Sequence, residues 1–204
     1  TKETIEKFQQ TGVEIGMVQI GNEITNGMLG ITTNRDAGES YKGIWANESK
    51  SKQVNKYLSA GSKAVKEVSD ALVVLQLETP NVKKFKEIMD TWERDDVYYD
   101  VLGSSYYPYW STDKKANTPE TLTKVQKLAA DYGKLFVVLE TSWLTTVKDA
   151  DGTPNAVGEW ENTSAYPLTA QGQANMLKDL YATLGNQDNG LGAFYWEPAW
   201  IPVK

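Results

Sequence analysis

The chain has 204 residues, 40% hydrophobic and 24% charged, an ordinary globular balance with enough length to bury one good core. A net charge of −6 with no lysine or arginine block makes nucleic acid a poor partner, since that affinity comes mainly from neutralised phosphates. Cysteine and histidine are absent, which removes disulfides, thiolate sites, Ser-His-Asp triads, Cys-His pairs and most zinc sites, leaving carboxylates, Lys, Tyr, Ser and Thr for any chemistry.

No apolar run approaches the roughly 18 residues of a membrane span, and no signal-peptide pattern opens the chain, so no membrane partner is expected. Seven Trp and eleven Tyr stand against four Phe. Rings with one apolar face and one polar edge suit stacking on sugars, but half-exposed core aromatics give the same count.

In chain order, Ile5 and Phe8 predict a short helix over residues 1–11, with Gly12 as its stop. Residues 13–20 lead into a first strand that ends in Gly21-Asn-Glu23. Residues 27–48 read as a long Gly- and Asn-rich loop. A helix follows over 49–68, with Val54, Leu58, Ala64, Val65 and Val68 broadly on one side. Residues 72–77 form a near-continuously apolar strand, as expected where both faces are buried. Pro80 and Asn81 open a helix carrying Val82, Phe85, Ile88, Met89 and Trp92 on its buried stripe. A third strand over 101–105 runs into Tyr106-Tyr-Pro-Tyr-Trp110. Thr118-Pro119-Glu120 is a helix start, with Thr118 as cap and Pro119 in the first turn. The strand over 135–139 ends on Glu140. Residues 143–168 exceed an ordinary connection and read as a functional or ion-organised loop. A helix over 169–184 and a strand over 191–196 finish the pattern.

Strict strand–helix alternation predicts an α/β protein with a parallel sheet and right-handed crossovers. No internal repeat and no linker divides it, so residues 1–204 are read as one unit. In parallel sheets a ligand meets the residues just past the strand C-terminal ends. Asn22, Glu23 and Glu140 fall there, as do rival carboxylates Glu78 and Glu197. The count stops at five strands, short of the eight of a closed barrel. A doubly wound sheet would satisfy five, yet no Gly-rich phosphate loop is present.

The combination of Asn22-Glu23 after one strand, Glu140 three strands later and Tyr195-Trp196 on the last resembles the retaining glycosidases built on (β/α)8 barrels. The nearer match is glycoside hydrolase family 53, the arabinogalactan endo-β-1,4-galactanases. It rests on Val18-Gln-Ile-Gly-Asn-Glu-Ile24 with Gly27-Met-Leu29, Ser105-Tyr-Tyr-Pro108, Val138-Leu-Glu-Thr141, Tyr166-Pro167, Gln171-Gly-Gln-Ala174 and Phe194-Tyr-Trp-Glu-Pro-Ala-Trp200. The resemblance implies that the five strands are strands 4 to 8 of a partial (β/α)8 barrel. The chain is then the C-terminal part of one catalytic domain, completed by the missing segment or by self-association. It also implies a plant β-1,4-galactan substrate and an extracellular or cell-surface location. Another member of the clan, mannanase- or cellulase-like, is the alternative enzyme; an inactive sugar-binding fragment is the alternative of another class.

For a retaining enzyme the resemblance makes Glu140 the nucleophile and Glu23 the acid/base, with Asn22 on the sugar 2-OH. Tyr106 or Tyr107 would orient Glu140, and Trp196 would floor the sugar ring. Trp110, Trp143 and Trp200 are further stacking platforms. Gln76 and Glu78 stand where the family more often shows a different segment, around a histidine or asparagine.

Asp149-Ala-Asp-Gly-Thr-Pro-Asn155 repeats the opening spacing of a calcium loop without the distal glutamate of an EF-hand. A solvated turn explains the same residues. The resemblance implies calcium, held by Asp149, Asp151, Asn155 and the carbonyl of Thr153.

Overall fold

The computed structural model describes residues 1–110, 116–148, 152 and 166–197. Strand β1 (Met17–Gln19) opens a five-stranded sheet, and β2 (Gly27–Met28) and β3 (Ile31–Thr32) pair as a separate hairpin. The other sheet strands are β4 (Leu72–Leu77), β5 (Val101–Ser105), β6 (Leu135–Thr141) and β7 (Gly190–Tyr195). They lie in the order β1-β4-β5-β6-β7, every neighbour parallel. The helices are α1 (Lys2–Gln10), α2 (Lys42–Trp45), α3 (Glu48–Lys66), α4 (Val82–Arg94), α5 (Pro119–Asp131) and α6 (Ala170–Gly185). None of them is long and apolar enough to cross a membrane.

The sheet order follows the chain without reversal, so there is no switch point of the doubly wound kind. The described helices therefore cover one face. Their buried residues join Val73, Leu75, Leu77, Leu102, Phe136 and Val138 of the strands in one core. A second, smaller cluster of Val74, Val101 and Val137 lines the opposite face, flanked by Met17, Leu72, Leu135 and Leu139. Strands apolar on both faces, with helices on only one, are the pattern of a barrel wall. The five strands with their helices form part of a (β/α)8 barrel, and the doubly wound alternative fails.

Local chemistry sets the helix starts. Asn47, Asn81, Thr118 and Thr169 are N-caps, their side-chain oxygens accepting from the N–H of Lys50, Lys84, Thr121 and Gly172. Such caps contribute about 1 kcal/mol each. Trp92 of α4 is fully buried, edge-on to Trp45 of α2 at 6.2 Å and to Tyr99 at 5.2 Å between ring centroids.

The region 27–48, expected as loop, carries the β2–β3 hairpin and α2 instead. The reason is local. Leu29 and Gly30 both take positive φ (48° and 83°), as a two-residue hairpin turn of matching twist requires. At Gly27, with φ 89°, a Cβ would lie 1.9 Å from the carbonyl oxygen of Ile31, so the strands close only on glycine.

Candidate active site

Alternation along β1, β4 and β5 sends Met17, Val74, Val101 and Gly103 to the inner face, and also Gln19, Gln76 and Ser105 at the C-terminal end. The apolar lining thus gives way to polar side chains at one rim. Gln76, fully buried, accepts from Gln19 Nε2 at 2.6 Å and from the Glu23 N–H at 3.1 Å. Its own Nε2 donates to Ser105 Oγ at 2.9 Å and to Glu140 Oε1 at 3.3 Å.

Glu23 follows Gly21, whose positive φ (75°) begins the turn out of β1. Glu23 itself is left-handed (φ 46°, ψ 52°), an arrangement costing about 1–2 kcal/mol outside glycine. Two anchors hold it. The Gln76 contact fixes its N–H, and the 3-10 turn Ile24–Asn26 is tied down by Trp45 Nε1 donating to the Thr25 carbonyl at 2.6 Å. The Glu23 carboxylate accepts from Ser105 Oγ at 2.7 Å. Burial raises its pKa; the Ser105 hydrogen bond opposes that, and the charges of Glu140 and Glu78 add to it.

Glu140 reaches the same rim through a β-bulge. Ser104 pairs with Val138 but Ser105 with Glu140, so Leu139 is an extra residue on β6. Leu139 packs toward Gly103 on the inner face, where a Cβ would meet it at 2.5 Å. Simple alternation would then turn Glu140 toward the helices; the bulge re-aims it inward. There it is 9% exposed, between Gln76 and the Tyr107 hydroxyl, which donates to Oε2 at 3.0 Å. Burial and the Glu140 charge push the Tyr107 pKa up, so this hydroxyl remains a donor.

Of the two tyrosines expected as orienters, Tyr107 is the one in contact with Glu140. Tyr106 alternates to the other face, buried near Tyr166 and Asp179. Asn22 is exposed, its Oδ1 accepting from Gln19 Nε2 at 3.0 Å. Trp196 is half exposed beside the site, its N–H donating to the Thr141 carbonyl at 2.8 Å. Trp110 is also open at 43%, with its ring 5.0 Å from that of Tyr107.

Trp143 departs from expectation. It is 1% exposed, packed between Tyr109 at 5.9 Å and Tyr166 at 5.5 Å, and its Nε1 donates to the Pro167 carbonyl. No ring face is left for a sugar. Trp200 and the expected calcium set Asp149, Asp151, Thr153 and Asn155 lie outside the described residues. Among the described residues no cluster of three metal-binding side chains occurs.

Of the rival carboxylates, Glu197 is exposed. Glu78 accepts from Asn26 Nδ2 at 3.1 Å and sits near enough to raise the pKa of Glu23. Gln19 and Ser105 were not singled out as site residues from the sequence. Both are polar residues at the last inner position of a strand whose earlier inner positions are apolar or glycine.

Two glutamates, Glu23 in the turn after β1 and Glu140 on β6, thus share one rim, linked through the Gln76 amide and the Ser105 hydroxyl. The model of glycosyl hydrolase family 53 matches residues 1–204. The chain belongs to glycosyl hydrolase family 53. This family 53 chain is 39% identical over 207 residues to the endo-β-1,4-galactanase of Bacillus subtilis (strain 168), covering 100% of this chain and 43% of that protein. It is 28% identical over 219 residues to the probable arabinogalactan endo-β-1,4-galactanase A of Aspergillus niger, covering 98% and 54%. The catalytic domain of the Ignisphaera aggregans family 53 enzyme superposes with a TM-score of 0.83 at 31% identity, over 99% of this chain and 53% of that one. A structure of fungal β-1,4-galactanases gives 0.75 at 21% identity, over 97% and 56%, a likeness of fold. The family 53 chain thus spans about half the length of the curated relatives it matches.

Proposed function

We propose that the protein is a retaining endo-β-1,4-galactanase whose two working groups are Glu140 and Glu23. The observation that carries this reading is their convergence: each is bound to the Gln76–Ser105 pair, and the charge of Glu140 is felt at Glu23. Membership of family 53 and the galactanase names of the relatives support this substrate class.

In the first step the Glu140 carboxylate attacks the anomeric carbon while Glu23 gives its proton to the departing glycosidic oxygen. In the second, Glu23 takes a proton from water, which then releases the sugar from Glu140. The environments suit the division. Glu140 accepts from two donors, Tyr107 Oη and Gln76 Nε2, which hold its carboxylate in place. Glu23 is biased toward its protonated form. Asn22, its oxygen held by Gln19, offers its Nδ2 donor to a sugar hydroxyl. Trp196 and Trp110 present rings for stacking. A polymeric substrate places the reaction outside the cell or at its surface.

Proton NMR of β-1,4-galactan digestion by the protein at its full natural length tests this. Product appearing first as the β-anomer is expected. First appearance of the α-anomer overturns retention, and reducing-sugar release from mannan or cellulose but not galactan overturns the substrate.

We further propose that Asp149, Asp151, Asn155 and the Thr153 carbonyl hold a calcium ion, on the spacing of their oxygen ligands. Chelator is then expected to lower the melting temperature and added calcium to restore it. Unchanged melting, with no heat of binding in calorimetric titration, removes the ion.

A further inference from the structure

A groove away from the site is lined by Ser59, Ser62, Lys63, Lys66, Asp96 and Tyr98. Its Lys66 is already engaged by Asp100 and the Ala71 carbonyl, and nothing there points to a ligand. The inner rim of the sheet carries more.

We propose that Gln76 is a positioning residue for both glutamates, a neutral amide whose two ends set the acid/base and the nucleophile in one register. This rests on the assignment of Glu23 and Glu140 as the working pair. The amide's orientation follows from its partners. The Glu23 N–H can only donate, so the atom facing it is the Gln76 oxygen. An ionised Glu140 can only accept, so the atom facing it is the nitrogen. All four contacts of the side chain are then satisfied in one arrangement, and the residue is fully buried, so no water substitutes for it.

The arrangement has a consequence one bond further on. Since Ser105 Oγ accepts from Gln76 Nε2, its own hydrogen is free to be directed to the Glu23 carboxylate at 2.7 Å. One amide thus donates to Glu140 directly and lines up the hydroxyl that donates to Glu23. At the same time its oxygen holds the Glu23 backbone in the left-handed conformation that presents the carboxylate. Few side chains combine this set. A carboxylate at position 76 would lack both donors and repel Glu140. A serine or threonine would not span the gap from β4 to β6.

The test is Gln76→Met, close in volume but with no strong donor or acceptor, in the protein at its full natural length. Galactan kinetics are measured as a function of pH, beside Glu140→Gln as control. The expected result is a fall in kcat of about 100-fold, the scale on which small misplacements of reacting groups act, with KM within threefold. The basic limb of the pH profile is expected to move to higher pH, because Ser105 loses its alignment and no longer favours ionised Glu23. A residue that only supports the fold would leave that limb in place. Kinetics within threefold of the parent and an unmoved limb, with Glu140→Gln inactive, overturn the role of Gln76 and leave the galactanase reading standing. Full activity of Glu140→Gln overturns that reading instead. Should Gln76→Met not fold by circular dichroism, Ser105→Ala takes its place. The same upward movement of the limb supports the relay, and an unmoved limb overturns it.

Discussion

Glu140→Gln is expected to lower kcat/KM on galactan by at least about 10⁴-fold, roughly 5 kcal/mol of transition-state stabilisation. The substitution keeps the side chain's shape, and Tyr107 still finds an oxygen to donate to. On the proposed assignment it removes the charge that attacks the anomeric carbon, so no covalent intermediate is expected to form. Binding of galactan, which depends on the surrounding rings and hydroxyl partners, is expected to persist in calorimetry. Two further readouts separate a nucleophile from a structural acid. A 2-deoxy-2-fluoro galactosyl donor with an activated leaving group is expected to add one sugar mass to the parent protein, on the peptide holding Glu140. Azide added to Glu140→Ala is expected to attack from the opposite side and yield the α-galactosyl azide. Label on Glu78 or Glu23 instead would reassign the nucleophile.

That Glu140 stands inward at all is the part of the site least visible in the sequence. Leu135-Phe-Val-Val-Leu139 reads as a strand ending on a carboxylate, and the strand forms but runs through Glu140 to Thr141. Alternation counted from Val137 and Leu139, both inner, would place Glu140 against the helices. The extra residue that turns it inward exists only in the pairing with β5, between Ser104 and Ser105. A bulge belongs to two strands, and one strand's sequence cannot display it. The same limit hid the Gln19–Gln76–Ser105 network, whose members lie on three strands and meet only through sheet register.

Features governed by neighbours in the chain were legible. Thr118-Pro119 capped α5 as expected, and the buried stripe Phe85, Ile88, Met89 and Trp92 of α4 followed its helical spacing. Trp143 was not, because an aromatic past a strand end is as easily wall as platform. Tyr109, Tyr166 and the Pro167 carbonyl decide between them, and all come from elsewhere in the chain. Helices on a single face, which distinguish barrel wall from doubly wound sheet, likewise depend on strand order. The motifs placed the two glutamates on one rim; what holds them there came from packing.

Glu23→Ala is expected to leave a different trace from Glu140→Gln. General acid catalysis contributes roughly 10²–10⁴-fold, and galactan, with a sugar hydroxyl as leaving group, needs all of it. Turnover of galactan should fall by about 10³-fold. An aryl galactoside with an acidic phenol leaves without help, so its first step survives, and the galactosyl-enzyme on Glu140 accumulates as a burst. Azide needs no base and should restore turnover, yielding the β-galactosyl azide. The pH profile carries the same assignment. Burial first, with the charges of Glu140 and Glu78 behind it, raises the pKa of Glu23 against the pull of Ser105. A raised pKa keeps the proton on Glu23 to higher pH, so galactan hydrolysis holds through that range and falls as pH climbs past the raised value. Glu78→Gln removes one negative neighbour, so the pKa of Glu23 drops and the basic limb should move to lower pH. In Glu23→Ala that limb should vanish, because the group that loses the proton is gone. A basic limb that persists unchanged in Glu23→Ala would mean another acid protonates the leaving oxygen, and Glu78, the nearby carboxylate hydrogen-bonded to Asn26, would be the next residue to replace.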